Sequence, residues 1–132
     1  MSRFSTVISY TAFLAALLMI GLGITGMVTA ARGQEAPQTA EEVQQYLDVR
    51  GQPYRAFGVE ETKAIYALIV ELAGPSPEGE PAAYIFTISP NGERAVLIPF
   101  DVEGKVMRYA FSGPASQIIV LVTAAVGRFA HD

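Results

Sequence analysis

The chain has 132 residues and a mass of 14.1 kDa, which is room for one domain. It contains no cysteine, which excludes disulfide scaffolds, zinc knuckles and thiol catalysis. With 9 Lys+Arg against 13 Asp+Glu, it also lacks the basic surplus or stripe that nucleic-acid binding needs.

The 51% apolar content is unevenly spread: no charged side chain lies between Arg3 and Arg32, and all 13 acidic residues come after that gap. Beyond Ala31, 8 basic residues face those 13, so the remainder is a mildly acidic domain of net charge −5. Arginine outnumbers lysine seven to two, which suggests a bacterial source with a GC-rich genome.

The first element is the uncharged run from Phe4 to Ala31. Its apolar side chains include Val7, Phe13, Leu14, Leu17, Leu18 and Ile20, and glycines follow at 21, 23 and 26. As a signal peptide, Arg3 is the positive start, Thr11 to Ile20 the apolar stretch, and Val28-Thr29-Ala30 fits the small-residue cleavage rule. As a retained anchor, the same 28 residues exceed the roughly 20 needed to cross a bilayer. No polar face interrupts the run, which argues against an ordinary core helix. Both membrane readings keep the amino terminus in the cytoplasm, because the charge before the run is positive and Glu35, Glu41 and Glu42 follow it. The expected division is therefore a leader or anchor at 1–31, a linker at 32–38 and an exported domain at 39–132.

Thr39-Ala40-Glu41-Glu42 matches a capping box and predicts a helix with Val43, Tyr46 and Leu47 on one face, ended by Gly51 and Pro53. Gln52 to Gly58 follows as an expected loop. Tyr54, Arg55 and Phe57 make it the one place where a cation is interleaved with rings, and hence a candidate partner-binding loop; alternatively its aromatics seal a corner of the core. Glu60 and Glu61 favour the start of a second helix, with Ile65, Leu68, Ile69 and Leu72 as its buried stripe and Gly74-Pro75 as its stop. Tyr66, Ala67 and Val70 widen its apolar surface.

Pro75 to Pro81 is an exposed connection. Tyr84–Ile88 and Ala95–Ile98 then predict a hairpin through Ser89-Pro90-Asn91-Gly92-Glu93. Two registers are open, pairing Ile88 with Arg94 or with Ala95. Asp101 to Gly104 predicts a turn and Lys105 to Phe111 a third strand. Ser112-Gly113-Pro114 looks like a helix start, and Ile118 to Phe129 reads as a helix, with a buried strand or a second membrane span as alternatives. The predicted fold class is thus α+β: the leader or single transmembrane helix, two helices, a three-stranded antiparallel meander and a carboxy-terminal helix.

Catalytic chemistry has few materials here. The one histidine, His131, lies in the tail, no EF-hand spacing or phosphate-cradling loop occurs, and no cofactor or metal is implied. Asp48, Glu60, Glu61, Asp101 and Glu103 are the carboxylates that folding would have to bring together for a small hydrolase. The leading expectation is a non-catalytic binding or accessory protein of the cell envelope, periplasmic or tethered. Its expected partner is another envelope or membrane protein, with the lipid bilayer added if residues 1–31 stay on. The alternative is a single-span structural subunit of a membrane complex, although Gly23 and Gly26 miss the small-xxx-small spacing of helix packing.

Overall fold

The computed structural model describes residues 9–12 and 37–131. Most of the leader or anchor at 1–31, including Val7, Phe13, Leu14, Leu17, Leu18 and Ile20, lies outside the described residues. So does most of the linker.

The described residues form an α+β fold: β1 (Ser9–Ala12), α1 (Ala40–Val49), β2 (Tyr54–Phe57), α2 (Val59–Ala73), β3 (Ala83–Ile88), β4 (Arg94–Phe100), β5 (Tyr109–Pro114) and α3 (Ala115–His131). All strands are antiparallel in the order β1-β5-β4-β3-β2. The predicted meander β3-β4-β5 is the centre of this sheet, and β2 and β1 extend it at its two ends. Two short strands escaped the sequence reading for different reasons. Tyr54–Phe57 sits among loop-forming residues and becomes a strand only by pairing with Tyr84–Thr87. Ser9–Ala12 is embedded in the uncharged run, whose composition points to lipid, and pairs with Tyr109–Ser112.

Helices cover both faces of the sheet. Because successive side chains on a strand alternate, Val96, Ile98 and Phe100 of β4 pack with Val43 and Leu47 of α1, while Ala95 and Leu97 pack with Ile65, Ile69, Ile118 and Leu121 of α2 and α3. Every residue from Ala95 to Phe100 is therefore buried, which is why β4 is apolar without alternation. The β4–β5 ladder stops at Leu97. Two residues on is Pro99, which has no N–H to give; its carbonyl accepts from Met107 N at 2.9 Å.

The hairpin register is Ile88 with Ala95. Its turn has Pro90 and Asn91 at the centre, Gly92 N donating to Ser89 O at 2.8 Å and Gly92 at φ +78°, a conformation that favours glycine. The third strand begins at Tyr109 rather than Lys105, and Ser112-Gly113-Pro114 ends that strand instead of capping the helix. The carboxy-terminal segment is helical from Ala115, as expected, although the residues read as its start belong to β5. Leu72, expected in the buried stripe of α2, is 40% exposed, and Thr62 lies buried at the other end of the stripe. The buried face is the predicted one, but its burial is shifted toward the amino-terminal turns and leaves Leu72 at the uncovered carboxy-terminal end. Among the described residues no helix is long and apolar enough to cross a membrane.

Candidate functional site

Thr39 caps α1, its Oγ1 accepting from Glu42 N at 3.2 Å, while Glu42 Oε1 accepts from Gln38 N at 2.8 Å. The helix ends in a Schellman arrangement: Gly51 N donates to Asp48 O at 3.0 Å and Gln52 N to Leu47 O at 2.9 Å, with Gly51 at φ +65°. This reversal delivers Gln52 to the interior.

Gln52 is buried, and a buried amide is tolerable only with its hydrogen bonds made. Its Nε2 donates to Ile88 O at 2.8 Å and to Thr87 Oγ1 at 3.3 Å, and the Thr87 hydroxyl donates to Pro53 O at 2.9 Å. The α1–β2 connection is thereby fastened to the end of β3. On the far side of that end, the Ser89 hydroxyl donates to Asn91 Oδ1 at 2.6 Å and accepts from Arg94 N at 3.1 Å, fixing the hairpin turn.

These anchored segments enclose a cleft of about 910 Å³ that runs from the α1–β2 connection along β2 and β3 to the flank of α3. Its apolar surface includes Phe57, Phe86 and Ile88 from the sheet and Ile119 and Val122 from α3. Ile119 is 41% exposed, a large aliphatic side chain left uncovered beside the opening. Of the five buried polar residues among those described, Gln52, Thr87 and Ser89 all line this cleft. The polar groups that a small core would otherwise avoid are concentrated in its wall.

Tyr54, Arg55 and Phe57, singled out from the sequence, all line the cleft, but on a strand rather than a loop, and their surroundings differ. Phe57 is 3% exposed and belongs to the core, so its place in the wall is shared with a packing role. Tyr54 is half-buried against the α1 side of the sheet. Burial and the adjacent Asp48 carboxylate raise the pKa of its hydroxyl.

Arg55 is the exposed member, its guanidinium 4.8 Å from the centre of the Phe57 ring and 3.5 Å from Glu61. Arg50, missed in the sequence as a site residue, is the second cation of the lining and stacks on Tyr46 at 4.1 Å. Proximity of the two arginines in the chain was the signal that could have found it.

The five candidate carboxylates do not converge. Asp101 Oδ1 accepts from Glu103 N at 2.9 Å and from Lys105 N at 3.0 Å, which shapes its own turn, and Glu103 lies 3.8 Å from Lys105. Asp48 lies at the end of α1, and Glu60 and Glu61 lie in the first turn of α2. Among the described residues no group of three or more His, Cys, Asp or Glu side chains is arranged to hold a metal. The side chain of His131 lies outside the described ones. No family model, no curated protein and no solved structure matches this chain.

Proposed function

We propose that the chain is a non-catalytic binding or accessory protein of a cell envelope, either periplasmic or tethered through residues 1–31, and that the cleft along β2 is its binding site. The observation that carries this reading is the cleft itself: an open space of about 910 Å³ with an apolar floor and a hydrogen-bonded wall. Ligand sites have this anatomy, mostly apolar with a few fixed polar groups. The partner in this reading is another envelope or membrane protein, or a ligand that such a protein handles.

The envelope address rests on the uncharged run. A peptide segment cannot pair with β5 and lie in a bilayer at once, so export or anchoring through this run takes Ser9–Ala12 off the sheet. If the run is retained as a span, the chain is instead a single-span subunit of a membrane complex, favoured by the 28 uncharged residues in a row.

Intact-mass measurement of native protein from soluble and membrane fractions separates these fates. A start near Ala31 supports a cleaved leader, and an intact Met1 in the membrane fraction supports the anchor. An intact chain found only in the cytosol removes the envelope reading altogether. For the binding site, Tyr54→Ala and Arg55→Glu are expected to abolish co-purification of a partner from solubilised envelopes while the domain stays folded; unchanged co-purification with both variants refutes it.

A further inference from the structure

The charges around the cleft do not follow those of the chain. The whole protein carries −4, with 13 acidic residues, yet the cleft lining contains two arginines, Arg50 and Arg55, and no aspartate or glutamate. Arg55 shares its charge with Glu61 at 3.5 Å, a single contact whose guanidinium side is exposed and whose Glu61 side is half-buried, and a partly solvated pair of this kind is weak. Arg50 is held by the face of Tyr46, and no carboxylate among the described residues forms an ion pair with it. Stacking on a ring leaves a guanidinium's in-plane N–H fork able to donate, and that fork matches the two oxygens of a carboxylate. Asp48 and Glu61 are the flanking acids. The first lies beside the Tyr54 hydroxyl and the second beside Arg55, and neither lines the opening.

Resting on the binding-protein reading, we infer that the cleft takes a small amphipathic carboxylate, its apolar body on Phe57, Phe86, Ile88 and Val122 and its acid group at Arg50 and Arg55. Charge complementarity selects the head group and the apolar floor selects the body. A cation of the same shape meets two like charges, and a neutral molecule gains only the floor. The space suits a drug-sized molecule, since such sites measure roughly 300–1,000 Å³.

The test uses the full chain in neutral-lipid nanodiscs and three probes sharing one body: 2-naphthylacetate, 2-(2-naphthyl)ethanol and 2-(2-naphthyl)ethylammonium. The chain has no tryptophan, so naphthyl fluorescence is read against little protein emission. The acetate is expected to bind at least tenfold more tightly than the alcohol, and the ammonium more weakly than either. The double variant Arg50→Gln/Arg55→Gln is expected to lower acetate affinity about tenfold or more and leave alcohol affinity unchanged, its thermal midpoint reporting that the fold is intact. Empty nanodiscs set the lipid background. Competition by decanoate or by 4-phenylbutanoate sorts an alkyl body from an aryl one, and displacement by either supports the site.

Equal affinity for acetate and alcohol overturns the inference, as does acetate binding that the double variant does not change. If no probe binds above the lipid background while Tyr54→Ala still strips a protein partner, the carboxylate inference falls and the binding reading stands. If neither occurs, both fall.

Discussion

The two edges of the sheet are built from strands of equal length, four residues each, and they end in opposite states. At the β1 edge, Tyr10 stands edge-on to Phe111 with ring centroids 5.3 Å apart and donates from its hydroxyl to Gly74 O at 2.9 Å. The Tyr66 hydroxyl accepts from Ser76 N at 2.9 Å nearby, and the gap beside these rings is too small for water. Aromatic rings with satisfied hydroxyls close that edge. At the β2 edge the buried polar groups are spent on fastening two connections, Gly51–Pro53 and Ser89–Arg94, to the end of β3. Residues of both connections line the open cleft. The comparison teaches that the direction of the polar bonds decides whether an edge closes or stays open: across the gap at β1, into the walls at β2.

The sharpest break of this contrast is Phe57→Ala, which empties part of the core behind the cleft. Large-to-small changes of this kind cost about 3–5 kcal/mol, and urea denaturation is expected to show a loss of that size. A loss below about 1 kcal/mol would show that Phe57 serves the cleft and not the core. Next in size is Gln52→Ala, which leaves the Ile88 carbonyl without its donor and frees the Gly51–Pro53 connection. A loss of about 1–3 kcal/mol is expected, with faster hydrogen exchange at Gln52 to Tyr54; unchanged exchange would mean that the network does not hold the wall.

In the full-length chain with Ser9–Ala12 paired on the sheet, Tyr10→Phe keeps the ring and removes one hydrogen bond, so about 1 kcal/mol is expected, with the change confined to the β1 edge; once the run is cleaved or in a bilayer the substitution costs the domain nothing. Hydrogen exchange at Tyr109 to Ser112 checks this, and faster exchange spreading to β2 would show the two edges to be coupled. Arg55→Gln is expected to alter stability by less than about 1 kcal/mol, because its guanidinium is mostly in solvent and the pair with Glu61 is partly solvated. A larger loss in thermal melting would make it a structural residue.

The smallest effect is alkaline. Burial raises the pKa of the Tyr84 and Tyr46 hydroxyls above the ordinary 10.0. Their contribution is fully present below pH 10 and lost as pH rises beyond it, because the unfolded chain releases those protons first. Tyr84→Phe is expected to flatten the fall in stability between pH 10 and 11, and an unchanged slope would assign the fall to other groups.

Much of the domain was legible in the residues. The Thr39–Glu42 cap, the turns at Gly51, Gly92 and Gly104, the stops at Gly74 and the apolar stripes of α2 and α3 are local signals with local causes, and they define the helices and the central hairpins. The cleft was legible only as three residues, Tyr54, Arg55 and Phe57, standing together in what looked like a loop. Arg50, Phe86 with Thr87, and Ile119 belong to the same wall but come from three different parts of the chain. No spacing rule joins them.

By itself the sequence determined the uncharged run, the acidic α+β domain behind it and the order of its helices and central strands. Periodicity, capping and turn chemistry act over a few residues and need no partner. Only the tertiary structure decided that Tyr54–Phe57 and Ser9–Ala12 are strands, that the end of α2 leaves Leu72 uncovered, and that two arginines share one opening. Each of those depends on which surface a segment meets, and a short strand acquires its hydrogen bonds only when a distant neighbour supplies them.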